Sequence, residues 1–266
     1  MSNIIRFKRG RLITVFMTLY LIGIGLWDEK DISVKGLETA KSCEKVYLEK
    51  YTSVLFGTSK EKIEKLLGKE LVLLDRKAME QDKPYMLEAK DKEIAVLVGG
   101  DPLSATTHME TLLEAKDKGI TTSVIHAASV LVSVAESGLY MYKFGKTCSV
   151  PFWSEGYEPI SFYDVILENK GIGAHTLVLL DLKPEEERFM TVNQALELLL
   201  KAANEKGGDL NEETYVVGIA RMGSEDQLIK FGTIAELMKT DFGGPMHILV
   251  VPGDLNPIEA ENLSKL

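Results

Sequence analysis

Residues 99–108 have the composition of a ligand-binding turn. They read Gly-Gly-Asp-Pro-Leu-Ser-Ala-Thr-Thr-His and directly follow the apolar run 94–98. Gly99 and Gly100 allow a sharp turn and a close backbone approach to a ligand, and Asp101 offers a carboxylate. Open α/β sheets bind their ligands just past the ends of their strands. Gly-Asp-Pro is also an ordinary turn, so the motif alone leaves both interpretations open.

Two other strand ends in the first half carry small residues. The first, at residues 20–26, runs into a Gly-x-Gly turn at Gly23 and Gly25. Asp28 occupies the position of the third fingerprint glycine, which disfavours a Rossmann dinucleotide site. The second, at residues 124–130, ends in Ala-Ala-Ser. Ser129 either caps the following helix or belongs to a turn whose N–H groups face a polar ligand.

Histidines and cysteines do not form a metal-ligand pattern. Cys43 and Cys148 lie in unrelated segments, which predicts reduced thiols and an intracellular location. The four histidines are scattered, so a structural zinc site is not expected. Two of them, His175 and His247, stand at the starts of the apolar runs 175–181 and 247–251, where a structural role is usual.

Short apolar runs alternate with amphipathic stretches, which predicts an α/β fold with mostly parallel sheets. Pro151, Gly156 and Pro159 interrupt this pattern, and we expect two α/β domains at 17–129 and 130–266, with a ligand cleft between them. The predicted strands are 18–24, 45–48, 70–74, 93–98, 121–125, 147–150, 175–181, 215–220, 228–232 and 246–251. Helices are predicted to begin near Ser33, Ser59, Thr106 and Ser129, and over 191–204, where Thr191 and Gln194 have capping-box spacing.

Composition excludes some classes of partner. The formal charge of −9 disfavours nucleic acid, because binding it depends on neutralising phosphates. The apolar run 12–26 follows four basic residues but is shorter than the ~18 residues of a membrane span, and no cleavage site follows it. We therefore expect a soluble, cytoplasmic protein that starts near Met17, with residues 1–16 an extension of no catalytic role.

The order of these segments resembles the diphthine synthases, which belong to the tetrapyrrole-methylase-like superfamily. The resemblance covers residues 17–266. Its Gly-Asp-Pro element is common to the superfamily, whereas Ala-Thr-Thr-His at 105–108 and Tyr51-Thr52-Ser53 are specific to diphthine synthases. The other matching segments are 20–26, 31–38, 125–129, 142–146, 175–181 and 247–253.

The resemblance implies two domains that bind S-adenosylmethionine between them, in a fold unlike that of Rossmann methyltransferases. The family's cofactor contacts correspond here to Leu26, Asp101, Ser104, Ser129, Val130, Leu180, Ala220 and His247. The apolar members would contact the cofactor through backbone groups and packing. Ser104 and Ala128 depart from the family, which often has an apolar residue and proline at these positions. At Asp101 we expect the side chain to serve the cofactor site more than the fold.

The reaction implied by the resemblance is repeated methylation of an amino group. The acceptor is the 3-amino-3-carboxypropyl side arm on a histidine of elongation factor 2, in diphthamide biosynthesis. An ammonium cannot attack a methyl group, so its proton must first leave. His108 is a candidate base, although a structural role fits it equally, and we assign no catalytic residue. A tetrapyrrole methyltransferase and an inactive cofactor-binding scaffold are the alternatives, and residues do not reveal whether a methyl ester is added.

The resemblance also implies a homodimer, which is the commonest symmetric assembly. An apolar and aromatic cluster could be covered by the partner, or could equally pack within the chain. Its members are Phe144, Val150, Phe152, Trp153 and Tyr157.

Overall fold

The computed structural model describes residues 4–8, 11–15, 17–50 and 55–266. The chain divides into two compact units, Met1–Ser129 and Val130–Leu266. Tyr51, Thr52 and Ser53, which carry part of the family resemblance, lie outside the described residues.

The first two strands form a small sheet of their own. Strands β1 (Ile4–Lys8) and β2 (Arg11–Val15) pair with each other in an antiparallel sheet of two strands. No strands were predicted in this segment. That residues 1–16 play no part in catalysis stays a prediction.

The rest of the first unit alternates strands and helices. Its elements are β3 (Thr18–Gly23), α1 (Val34–Ser42), β4 (Lys45–Glu49), α2 (Lys60–Leu67), β5 (Leu71–Leu74), α3 (Pro84–Glu88), β6 (Ile94–Val98), α4 (His108–Asp117) and β7 (Thr121–Ile125). Helix α3, a 3₁₀ turn at Glu29–Asp31 and a π-helix at Ala78–Asp82 were not predicted. All five predicted strands and the helix starts near Ser33, Ser59 and Thr106 are present within two residues.

The five strands form one parallel sheet in the order β5-β4-β6-β3-β7. Central strand β6 is buried along its whole length. Leu21 and Val96 belong to the core on one face, whereas Ile22 and Leu97 belong to the core on the other. Burial on both faces explains why β6 is continuously apolar in sequence.

The second unit begins with α5 (Val130–Ser133). Within the described residues it contains twelve helices and strands. The others are β8 (Cys148–Val150), α6 (Ser161–Gly171), β9 (Thr176–Leu180), β10 (Leu182–Lys183), β11 (Arg188–Phe189), α7 (Val192–Lys206), β12 (Tyr215–Ala220), β13 (Leu228–Thr233), α8 (Ile234–Leu237), β14 (His247–Val251) and α9 (Pro257–Leu263). The 3₁₀ turns are Val134–Ser137, Met141–Lys143 and Pro184–Glu186.

The sheet of the second unit corrects the prediction of mostly parallel sheets. Its order is β13-β12-β14-β9-β8, and of its four pairings only β8 with β9 is parallel. Residues 221–227 alone connect β12 to β13, and a parallel connection needs a crossover of a dozen or more residues. The fold is α/β as predicted, but its second sheet is predominantly antiparallel.

Helix α7 confirms the capping prediction. The Thr191 side chain accepts from the N–H of Gln194, and the Gln194 side chain accepts from the N–H of Thr191. The helix runs to Lys206, two residues beyond the predicted end, and stops at Gly207 in the left-handed conformation. Its apolar stripe, which includes Leu196 and Leu199, lies in the core of the second unit.

A buried charged network anchors α9 in the second unit. Glu259 is fully buried and accepts from Lys143, from His175 Nε2 at 3.0 Å and from the Tyr140 N–H at 2.9 Å. Burial raises the pKa of Glu259, but hydrogen bonds from Asn256, Lys143, Tyr140 and His175 outweigh it and lower the pKa to about 2. The carboxylate therefore stays ionised inside the fold.

None of the helices in the described ranges combines the length and apolar character needed to span a bilayer.

Candidate active site

Loops from three neighbouring strands meet at the carboxyl edge of the parallel sheet. Strand β3 lies between β6 and β7, so all three strands end side by side. The chain leaves β3 toward β4 but leaves β6 toward β7, on the opposite side. The connections after β3 and β6 therefore run in opposite directions along the sheet, and such a reversal marks the topological switch point where open α/β sheets bind ligands.

Glycines allow these loops to approach each other closely. Gly25 and Gly100 form an antiparallel bridge, with the Gly100 N–H 2.7 Å from the Gly25 carbonyl. A Cβ on Gly23 would lie 2.5 Å from the Gly100 carbonyl oxygen and 2.8 Å from the Ala127 Cβ. Only glycine fits at position 23, because the Gly100 carbonyl and the Ala127 side chain occupy the space of a Cβ.

Gly100 shows that this edge has room for a ligand. Its φ of +68° favours glycine, and a Cβ built there would have no heavy atom within 4 Å. The edge therefore presents bare backbone to open space. Exposed backbone suits a ligand that is held by backbone groups and by packing. The apolar residues among the predicted cofactor contacts can bind a ligand only in this way.

Asp101 connects the loops after β6 and β7. Its Oδ1 accepts from the Leu103 N–H at 3.0 Å and from the Ser104 hydroxyl at 3.4 Å. Its Oδ2 lies 2.7 Å from His126 Nδ1 and accepts from the Ala127 N–H at 3.3 Å. Burial raises the pKa of Asp101, but the hydrogen bonds from Leu103, His126 and Ala127 outweigh it and the net pKa is lowered. The carboxylate is thus ionised and fully engaged with protein donors.

This geometry gives Asp101 a part in the fold, beside the role in a cofactor site that stays a prediction. The residue is 7% exposed, not a surface side chain, and it holds two loops that are distant in sequence. Its contribution to a ligand site is to fix those loops.

The remaining predicted contacts of the first unit lie in the same loops. The Leu26 N–H donates to Asp31 Oδ2 at 3.1 Å, as does the Trp27 N–H at 2.7 Å, so Asp31 shapes the loop after β3. Ser104 follows Asp101, and Ser129 is buried at the end of the loop after β7. Leu26, Asp101, Ser104 and Ser129 therefore all belong to the three loops at this edge.

His108 does not present a nitrogen to solvent. It is 2% exposed, and Nδ1 lies 2.9 Å from the Pro102 carbonyl, to which it must donate. Its Nε2 is buried without a hydrogen-bond partner among the described residues. Of the two roles that the sequence left open, the geometry favours the structural one, since His108 fixes the Gly-Asp-Pro turn.

Leu180, Ala220 and His247 meet at one edge of the second sheet. Strands β9 and β12 end where β14 begins, because both run antiparallel to it. Ala220 pairs directly with His247, and Leu180 lies one residue past the pair Leu179–Ile248. The structure thus brings together three residues that the family resemblance implies as cofactor contacts. Val130, the last predicted contact, is the first residue of α5 and half-buried.

His247 has both ring nitrogens bound within the protein. Nδ1 accepts from the Val192 N–H at 3.2 Å, at the start of α7, and Nε2 donates to the Gly244 carbonyl at 2.9 Å. Burial, reinforced by the charge of Arg221, lowers its pKa. The imidazole is neutral and caps α7, so only its backbone and ring surface are available to a ligand.

Arg221 shapes the same edge from the loop after Ala220. Its guanidinium donates to the carbonyls of Phe242, Gly244 and Asp226 and, at 2.6 Å, to the Asp226 carboxylate. The side chain is 13% exposed, and the backbone has a φ of +51°. Arg221 therefore holds the loop before β14 beside the loop after β12.

No group of three or more histidine, cysteine or acidic side chains that could hold a metal ion occurs within the ranges that the structure describes.

Comparison with known proteins assigns the family. The family model described as Tetrapyrrole (Corrin/Porphyrin) Methylases matches residues 18–238. The chain is 47% identical to a diphthine synthase of Methanosarcina mazei, over 93% of this chain and 95% of the relative. The chain belongs to the diphthine synthase family. It is thus a methyltransferase of diphthamide biosynthesis, and the resemblance drawn from sequence is confirmed.

Further relatives of the family agree. The chain is 43% identical to a probable diphthine methyl ester synthase of Arabidopsis thaliana, over 92% of this chain and 96% of the relative. A crystal structure of a putative diphthine synthase from Entamoeba histolytica superposes with a TM-score of 0.87 at 43% identity, covering 94% of this chain and 98% of the other. The predicted fold class is therefore confirmed.

Sequence reasoning missed His126 and Arg221. Both directly follow a strand end that had been recognised, at Ile125 and Ala220. The sequence did contain a signal for His126. Because the carboxyl ends of parallel strands lie at one edge of a sheet, polar residues just past β6 and β7 are expected to lie close together. Arg221 gave no such signal, since its partners lie in loops whose paths the sequence does not specify.

Proposed function

We propose that this chain transfers methyl groups from S-adenosylmethionine to the amino group of a 3-amino-3-carboxypropyl side arm on a histidine of elongation factor 2. The observation that carries the proposal is its 43–47% identity to proteins named diphthine synthase or diphthine methyl ester synthase, over more than nine tenths of the chain. The open backbone at Gly100 supports it, because the methyl donor needs a site that a Cβ does not fill.

The methyl donor supplies a sulfonium methyl group that a nucleophile can displace. The proposed contacts are Leu26, Asp101, Ser104, Ser129, Val130, Leu180, Ala220 and His247. Since the polar atoms of Asp101 and His247 are already bound within the protein, these two residues would act by holding backbone loops in place. The chain's task in an in-line displacement is to align amine and methyl carbon and to exclude water.

Cofactor choice gives the first prediction. We expect isothermal titration calorimetry to detect binding of S-adenosylhomocysteine and no binding of NAD. The reason is that the loop after β3 lacks the third fingerprint glycine, and Asp31 organises this loop through its own carboxylate. Tight binding of NAD without a response to S-adenosylhomocysteine would contradict the proposal.

We also propose that the protein is cytoplasmic and acts as a homodimer, without nucleic acid or membrane as a partner. The family resemblance supports the dimer, but the aromatic cluster no longer does. Val150 is buried in the core, Phe152 packs under Arg188 and Trp153 donates to the Pro159 carbonyl, all within the second unit. Tyr157, at 57% exposed, is the most accessible of the cluster.

The dimer is tested by light scattering at micromolar concentration. We expect about twice the chain mass of 29.5 kDa. A particle of the monomer mass that retains methyl transfer would reject the dimer and leave the enzymatic proposal intact.

A further inference from the structure

His126 combines exposure with a fixed orientation. Its side chain is 67% exposed, yet Nδ1 lies 2.7 Å from Oδ2 of Asp101, which is buried. A surface histidine normally samples several rotamers, whereas this one is tied to the carboxylate that organises the loops after β6 and β7. Its ring is therefore held at the carboxyl edge of the parallel sheet, against the carboxylate of the residue that follows Gly100.

The contact with Asp101 determines which ring nitrogen is free. An ionised carboxylate only accepts hydrogen bonds, so in the neutral imidazole Nδ1 carries the hydrogen and Nε2 carries the lone pair. No group in the described part of the chain bonds to Nε2, and Asp101 is the charged residue in contact with the ring. The arrangement presents a basic nitrogen to solvent from a fixed position.

The other three histidines cannot do the same. His175 donates through Nε2 to Glu259 and accepts through Nδ1 from the Gly253 N–H, and both nitrogens of His247 are likewise bound. His108 has its Nε2 buried. Of the four histidines in the chain, His126 is thus the one that offers an exposed nitrogen to a substrate.

The reaction needs such a group. A primary or secondary amine is mostly protonated near neutral pH, and an ammonium has no lone pair with which to attack a methyl carbon. A base within reach of the ammonium removes that obstacle, and histidine is the side chain that most often serves as a base.

We propose that His126, oriented by Asp101, is the general base that removes a proton from the substrate ammonium before methyl transfer. The inference rests on the proposed function. Nε2 takes the proton and His126 becomes an imidazolium, which the Asp101 carboxylate stabilises through Nδ1. The amine lone pair then forms a bond to the methyl carbon while the carbon–sulfur bond breaks and its electron pair stays on sulfur. The imidazolium afterwards releases its proton to water.

The test compares kcat, KM and S-adenosylhomocysteine binding in wild type, His126→Gln, His126→Ala and Thr121→Ala. Thr121 is the control because it is exposed at the opposite end of the same strand. We expect kcat of the two His126 variants to fall about 10²–10⁴-fold near neutral pH, with KM and S-adenosylhomocysteine binding unchanged. The deficit should shrink as pH rises, because the amine then loses its proton in solution, and added imidazole should partly restore His126→Ala.

Three results would overturn the proposal. The first is wild-type kcat in both His126 variants at neutral pH. The second is a deficit that is equal at every pH and is not relieved by imidazole, which indicates a positioning role. The third is a wild-type protein that binds S-adenosylhomocysteine but transfers no methyl group to elongation factor 2. That result would reject the proposed substrate, and with it the proposed role of His126 as a base. Thermal unfolding of each variant shows that the exposed substitution leaves the fold intact.

Discussion

Asp101→Ala should lower the free energy of unfolding by about 2 kcal/mol and weaken S-adenosylhomocysteine binding by about tenfold or more. The substitution leaves the N–H groups of Leu103 and Ala127 without their acceptor and releases His126. Both effects have one cause, because the loops that Asp101 holds together are those that we propose to contact the cofactor. Chemical denaturation measures the first effect, and calorimetry measures the second.

The matched control is Asp75→Ala. Asp75 also follows a strand of the same sheet and accepts from one backbone N–H, that of Ala78 at 2.7 Å, but it is exposed and lies beyond edge strand β5. We expect about 0.5–1 kcal/mol of destabilisation there and unchanged cofactor binding. If Asp101→Ala behaved like Asp75→Ala in both measurements, Asp101 would be a turn residue without a role in the site.

Glu259→Gln should lower the free energy of unfolding at pH 7 by about 3 kcal/mol, the largest stability effect that we expect. The substitution removes the charge that balances Lys143, and its amide hydrogens face a donor at either position, because Tyr140 donates to Oε1 and Asn256 donates to Oε2. The Glu261→Gln control changes an exposed carboxylate on the same helix that pairs only with Lys265, and we expect less than about 0.5 kcal/mol.

The pH dependence of stability provides the check on Glu259. Its pKa is about 2 in the folded chain against an ordinary value of 4.5, so its stabilisation is complete above pH 4.5 and is lost as the pH falls toward 2. In Glu259→Gln, stability should therefore vary less between pH 5 and pH 2 than in wild type. Parallel curves for the two proteins over this range would show that Glu259 is not the group that titrates.

The sequence predicted the fold correctly where burial alone determines the local structure. Strand β6 was predicted at 93–98 and runs over Ile94–Val98, because a strand that is buried along its whole length must be apolar and Gly99 and Gly100 follow it. The parallel strand direction predicted for the second unit was wrong, because strand direction depends on how the connections run and not on the composition of a strand. The connection 221–227 was too short for a helical crossover, and that signal could have been used.

The candidate site could also be predicted in part from the sequence. The strand end after β6 singled out Asp101, whereas the family resemblance supplied Ala220 and His247 as contacts, and all three lie where strands of a sheet end or begin. The contacts that each of these side chains makes could not be predicted from the sequence. Asp101 is buried because His126 and Ala127 approach it from another strand, and His247 is neutral because α7 begins beside it. Such contacts join segments distant in sequence.

Methyl transfer to elongation factor 2 tests the central claim most directly. The protein is incubated with tritiated S-adenosylmethionine and elongation factor 2 that carries the unmethylated 3-amino-3-carboxypropyl histidine, with a tetrapyrrole acceptor as the control. We expect label on elongation factor 2 alone, and mass spectrometry of the modified peptide would count the methyl groups and reveal any ester. Label on the tetrapyrrole, or on neither acceptor, would contradict the account.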